Sequence, residues 1–240
     1  MATLLKSATA RKRVQVPASA SVAALGARAR SARATRASLL RAAIRVFAKH
    51  GYSGASVEKI SSAAKSWDRM IYYYFGSKEG LFVAVLEETY RRFNEAEAAI
   101  ELDEARPIES LLAIVDFMVG YYRQHPEFVT LLNSENLHRG RHIRKSMTKG
   151  AYRAGEYASP AIAVVEQVLA SGVAQRVFRR DLAARDVYLL IASAGYFYQS
   201  NRHTLSAFLG EDLEDSAAIA HWASFVRTSV LRTVCISPPS

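Results

Sequence analysis

Three side chains in the middle of the chain have the types and spacing of a metal site. Glu135, His138 and His142 fall at i, i+3 and i+7 of the segment Glu135-Asn136-Leu137-His138-Arg139-Gly140-Arg141-His142. On an unbroken helix they share a face, and imidazoles with a carboxylate are donors for a divalent cation. Two features oppose that chemistry. Gly140 interrupts the helix that the spacing needs, and Arg139, Arg141, Arg144 and Lys145 repel a cation. The same group can instead contact an anionic or polar small molecule, or form a solvated or internally satisfied polar cluster. No metal ligand and no cofactor is assigned. Covalent chemistry has less support still: the sequence holds no nucleophile elbow, phosphate loop or zinc-protease helix, so an enzyme is not expected.

The second chemistry on offer is that of a polyanion partner. The 240 residues carry 32 Lys+Arg against 22 Asp+Glu, a net charge of +10. The surplus is not spread evenly. Residues 1–80 hold 15 basic and 3 acidic side chains, residues 81–240 hold 17 and 19, and residues 1–50 hold 11 basic groups with no acid. Such a one-sided field suits nucleic acid or an anionic surface. With one cysteine, Cys235, the sequence excludes an internal disulfide and a cysteine zinc cluster. It fits a reducing compartment, and a cytoplasmic location is expected. The longest apolar run, residues 187–198, falls short of the roughly 20 residues of a membrane span. Residues 1–34, rich in Ala, Ser and Arg, read as a disordered basic arm; a targeting peptide and a misplaced start are the alternatives.

The elements that position these groups are helical throughout. Leu39, Leu40, Ala43, Ile44, Phe47 and Ala48 share one face of a helix over about 35–50, stopped by Gly51. Ser56 caps a short helix with Val57, Ile60 and Ala64 on one face, and after a break at residues 65–66 another short helix carries Met70, Ile71 and Tyr74. That arrangement is a helix-turn-helix unit. Ser77 opens a long helix to about 102, Pro107 and Pro126 open two more, residues 141–157 form a weaker Gly-interrupted segment, and Pro160 starts a helix ending at Gly172. Asp181 is read as the cap of a helix over 187–199, and Asp215 as the cap of the last, 217–234. Period-two alternation is absent. The expectation is an all-α protein of about nine or ten helices: arm 1–34, three-helix head 35–80, larger bundle 81–240.

Phe47-Ala48-Lys49-His50-Gly51-Tyr52, Ser56-Val57-Glu58-Lys59-Ile60 and Ile71-Tyr72-Tyr73-Tyr74-Phe75-Gly76-Ser77-Lys78-Glu79-Gly80-Leu81-Phe82 together resemble the head of the tetracycline-repressor (TetR) family of bacterial regulators. The resemblance covers about residues 35–86. It implies a homodimer whose two heads read a palindromic operator on double-stranded DNA, and an inducer cavity in each larger domain. Ser66, Trp67, Asp68 and Arg69 correspond to positions that face bases. Tyr72, Tyr73 and Lys78 correspond to backbone-contacting positions, Ser56 offers a cap and a phosphate contact, and Arg36 with the arm can reach an adjacent groove. One departure stands out. Where the family has a Gly-Val-Ser turn this chain has Lys65-Ser66-Trp67, so a left-handed turn residue would cost Lys65 about 1–2 kcal/mol, and Ser66 becomes a rival cap for the recognition helix. Asp68 mildly repels phosphate but can accept from cytosine N4.

In the bundle, Phe93, Phe117, Tyr121, Phe128, Tyr152, Tyr157, Tyr196 and Phe197 are core residues by default. Phe117, Tyr121, Asn133 and Asn136 are the chosen contacts for an unknown small-molecule inducer, since an Asn on an apolar face needs a partner if buried. The helices 187–199 and 217–234 are apolar on more than one face and are assigned to the homodimer interface. The resulting expectation is a ligand-responsive, sequence-specific DNA-binding repressor. Its rival is a nonspecific nucleic-acid or anionic-surface binder that has lost operator recognition.

Overall fold

A computed structural model describes residues 18–148 and 160–237. Among them are ten α-helices and no strand: α1 Ala18–Gly54, α2 Val57–Ala63, α3 Asp68–Phe75, α4 Lys78–Ala98, α5 Pro107–Gln124, α6 Pro126–Leu137, α7 Arg141–Thr148, α8 Pro160–Ala174, α9 Ala184–Leu209 and α10 Ser216–Val234. Tyr152 and Tyr157 lie outside the described residues, as do residues 1–17 of the arm.

The chain divides into two units, residues 1–38 and 39–240. In the first, residues 18–34 are helical and form the start of α1, where a disordered arm was expected. The Ala and Arg content explains this locally: both are strong helix formers, even without an apolar stripe to reveal the period. Arg28, Arg30, Arg33 and Arg36 are all exposed there.

The second unit has two hydrophobic cores. One gathers Leu39, Leu40, Ala43, Ile44 and Phe47 of α1, Val57 and Ile60 of α2, Ile71 of α3, and Leu81, Phe82, Val85 and Leu86 of α4, with Leu131 of α6 closing it from the bundle side. The other gathers Phe93 of α4 with Leu111, Val115, Met118 and Tyr122 of α5, Phe128 of α6, Val165 and Leu169 of α8, Ile191 of α9, and Val226 and Val230 of α10. The boundary expected at residue 80 therefore runs through a shared element, because α4 gives its first half to the head and its second to the bundle.

Helix ends follow local chemistry. Ser56, Ser77 and Asp215 accept from backbone N–H groups as N-caps, and Pro107, Pro126 and Pro160 each occupy a first position, where the missing N–H costs nothing. Asp181 does not cap α9. Its carboxylate pairs with the Arg179 guanidinium at 2.7 Å, and α9 opens on Ala183 without a side-chain cap. α9 also continues ten residues beyond Gln199, to Leu209, where Gly210 ends it in the left-handed conformation.

Candidate nucleic-acid interface

The turn between α2 and α3 is built from backbone bonds. Lys65 N–H donates to Ser62 O at 3.0 Å and Ser66 N–H to Ser61 O at 2.9 Å. Lys65 adopts φ 51°, the left-handed conformation that its missing glycine would have favoured. The N-cap of α3 is Trp67, not Ser66, and it makes no side-chain cap bond. The large indole thus leaves the helix start in place, and is 72% exposed.

From this frame Arg69 is exposed, Ser66 and Asp68 are half-buried, and Tyr72 and Tyr73 stand out from α3, Tyr73 being 75% exposed. Ile71 points the other way and is fully buried. Ser66, Trp67, Asp68 and Arg69 line an open cleft with Ser61 and Ser62. One oxygen of Asp68 is already engaged, accepting from Ser61 Oγ. Ser56 Oγ accepts from Lys59 N–H at 3.2 Å as a cap, and its hydroxyl donates to the Glu58 carboxylate. Lys78, read as a backbone contact, has its ammonium 4.8 Å over the Tyr52 ring, and burial pulls its pKa below the usual lysine range. Arg36 belongs to the first unit, where it is exposed on α1.

Start of α4 and end of α3 meet closely at Gly80. A Cβ built there would lie 2.1 Å from the Phe75 carbonyl oxygen, so no larger residue fits without moving backbone. Ser77 Oγ accepts from Gly80 N–H at 2.9 Å.

The head is joined to the bundle through the former metal candidates. His142 is fully buried, its Nδ1 2.6 Å from Glu135 Oε2, while Glu135 Oε1 accepts from the N–H groups of His142 at 2.7 Å and Ile143 at 3.0 Å. One carboxylate thus caps α7. Arg139 and Gly140, both at positive φ, separate α6 from α7, and His138 Nδ1 is 2.7 Å from Ser134 O. Glu135 and His142 are a buried hydrogen-bonded pair, packed through His142 against the Tyr52 and Phe82 rings at 4.6 and 4.9 Å, with His142 Nε2 buried and unbonded among the described residues. Ser134 Oγ accepts from Tyr52 N–H at 3.1 Å, and Glu79 pairs with Lys145 at 2.6 Å. Sequence reasoning missed this joint, since its partners lie as much as 82 residues apart.

The four inducer candidates fall into two pairs. Phe117 and Tyr121 sit among aromatic rings, with Phe93 5.6 and 5.0 Å away, and burial raises the Tyr121 hydroxyl to about 12. Asn133 faces α9, donating to Ser200 Oγ at 2.9 Å and accepting from the Tyr196 hydroxyl. Asn136 is exposed. None of the four lines either of two cavities in the bundle. One, about 430 Å³, lies between α5 and α10 around Asp116, Arg123 and Glu214. The other, about 600 Å³, is an apolar pocket between α9 and α10 formed by Phe197, Tyr198, Leu205, Leu209, Leu213 and Trp222. The second was hidden because Asn201, Arg202, His203 and Thr204 interrupt the apolar period ahead of Leu205.

Comparison with known proteins places both parts of the second unit. Residues 39–85 match the family described as bacterial regulatory proteins, tetR family, and residues 107–230 match the tetracyclin repressor-like C-terminal domain. The HTH-type transcriptional repressor NicS of Pseudomonas putida is 50% identical over 207 residues, covering 86% of this chain and 95% of that protein. The repressor SCO4008 of Streptomyces coelicolor is 29% identical, covering 70% and 80%. The fold is shared with the Streptomyces coelicolor regulator SCO4942 (TM-score 0.62, 20% identity, 85% of this chain and 99% of that one). It is also shared with the fatty acid degradation regulator FadR of Bacillus halodurans (TM-score 0.59, 20% identity, 82% and 94%).

Proposed function

The chain belongs to the tetR family of bacterial regulatory proteins, and on that premise we propose that it is a ligand-responsive transcriptional repressor, released from a palindromic DNA operator by a small-molecule inducer. The observation that carries this reading is the face of α3. A buried Ile71 anchors the helix, while Trp67, Arg69, Tyr72 and Tyr73 project from it with polar tips suited to base edges and phosphates. Residues 35–80 are the DNA-reading head and 81–240 the domain of ligand binding and dimerisation. Repressor action is supported by the 50% identity to a protein named a transcriptional repressor.

The dimer in this reading forms through α9 and α10, within the expected ranges 187–199 and 217–234. Leu189, Phe197 and Phe225 are each about half exposed there, an apolar surface that a second copy would cover. The inducer contacts are Asn133 and Asn136 with Phe117 and Tyr121. A cytoplasmic site of action follows from the DNA partner, and among the described residues no helix is long and apolar enough to cross a membrane.

Selection from randomised duplex DNA at moderate salt tests the reading. The full chain should enrich an inverted repeat whose half-sites are spaced by whole helical turns. Deleting residues 1–33 should keep that sequence while weakening affinity and flattening its salt dependence. Failure to enrich any sequence would favour the nonspecific binder, and loss of all binding on deletion would place that binding in the basic segment alone.

A further inference from the structure

The start of α3 has two weak points. Lys65 holds a left-handed conformation with a Cβ, and the N-cap Trp67 has no side-chain oxygen to offer the first N–H groups of the helix. Something else must fix the helix, because an eight-residue helix is not stable alone.

The compensating contact is one residue further on. Asp68 Oδ1 accepts a hydrogen bond from Oγ of Ser61, a buried residue in the middle of α2. The backbone carbonyl of that same serine accepts from Ser66 N–H at 2.9 Å. A single residue of α2 thereby holds both the turn and the first turn of α3. Asp68 is half-buried by this arrangement, whereas its neighbours Trp67 and Arg69 are exposed.

Resting on the operator-reading role proposed above, we infer that Asp68 is a positioning residue: tied to Ser61, it sets the orientation of the recognition helix instead of accepting a hydrogen bond from a cytosine amino group. An anion placed among phosphates repels them, so its presence here needs a compensating task. Holding Trp67 and Arg69 at fixed angles to the groove supplies it, since base readout depends on side-chain geometry while phosphate attraction does not. Ser61 Oγ also has Glu58 O within 3.1 Å. Removing Asp68 therefore leaves the serine hydroxyl an acceptor, and the variant reports on α3 rather than on an orphaned buried group.

The test uses the full chain in four forms besides the wild type: Asp68→Asn, Asp68→Ala, Ser61→Ala and the Ser61→Ala/Asp68→Ala double. Asn keeps an acceptor oxygen and drops the charge. Amide hydrogen exchange over residues 71–75 should accelerate roughly fivefold in either alanine variant, no further in the double, and little in Asp68→Asn. In selection from randomised duplexes, Asp68→Asn should enrich the wild-type sequence. The alanine variants should lose about fivefold in preference for that sequence over random DNA, Ser61→Ala keeping its nonspecific affinity and Asp68→Ala gaining slightly in it as the anion is removed. Additive exchange effects would overturn the tie. A changed base at one position in Asp68→Asn, with Ser61→Ala behaving as wild type, would make Asp68 a base reader and overturn the inference. If the wild type itself enriches nothing, the operator reading falls and Asp68's part in recognition with it, while the exchange cycle decides separately whether the tie exists.

Discussion

The head and the bundle both expose large apolar side chains, and the two sets differ in how they end. On α3 the exposed groups are Trp67, Tyr72 and Tyr73; on α9 and α10 they include Phe197, Phe208, Leu209 and Phe225, with Phe208 84% exposed. Each aromatic of the first set ends in an N–H or O–H, so it tolerates water and suits a partner with acceptors such as phosphate oxygens and base edges. The second set ends in hydrocarbon and gains only by burial against more hydrocarbon. Equal exposure therefore points to unlike partners. The frames differ as well: the head's surface hangs on a turn of backbone bonds and one close glycine contact, whereas the α9 and α10 faces are long regular helices whose interior sides fill the bundle core.

The largest expected break in this contrast is on the bundle side. Phe197→Ser with Phe225→Ser should weaken self-association about 100-fold, corresponding to about 3 kcal/mol of lost apolar burial, as read by sedimentation. Trp67→Ser should leave sedimentation unchanged; an equal effect would erase the distinction between the surfaces. Next comes the head's frame. Gly80→Ala should lower stability by about 2 kcal/mol, seen in thermal unfolding, because the backbone carbonyl of Phe75 has nowhere to go. Lys65→Gly should act oppositely, stabilising by about 1 kcal/mol through relief of the left-handed strain.

The smallest effect lies where the two regions join. The Lys145 hydrogen bond holds the Glu79 carboxyl below its ordinary 4.5. A depressed folded value means that the pair stabilises the fold above that pH and ceases to do so as acid protonates Glu79. Lys145→Met should cost under about 1 kcal/mol at neutral pH, as expected for an exposed pair, and nothing once the solution is acidic enough to protonate the glutamate. A constant cost across that range would mean that Lys145 acts by packing.

What the sequence made legible were features decided within a few residues. Ser56, Ser77 and Asp215 cap as read, the three prolines open α5, α6 and α8, and Ile71 turns inward while Tyr72 and Tyr73 turn out. What escaped were specific pairings of polar and aromatic side chains, some of them close in sequence. Asp181 was read as a cap and pairs with Arg179; the Lys78 ammonium, read as a phosphate contact, lies over the Tyr52 ring; and Glu135 with His142, weighed as a metal site against a polar cluster, form a buried pair where the head meets the bundle. In each case the local chemistry was compatible with both outcomes; for Lys78 a distant ring decided, for Asp181 and Glu135 a partner within seven residues. The reach of α9 past Gln199 escaped for another reason: a polar stretch hid an apolar face that resumes at Leu205.

α4 enters both cores, with Leu81 and Phe82 in one and Phe93 in the other. Its 21 residues form a rod of about 30 Å at 1.5 Å per residue. Tilting such a rod by about 5° at the bundle end carries the other end about 2.6 Å, close to the roughly 3.4 Å rise of one DNA base pair. A rearrangement no larger than a side-chain repacking around Phe93 is thus enough, by leverage alone, to move a reading head out of step with its base pairs.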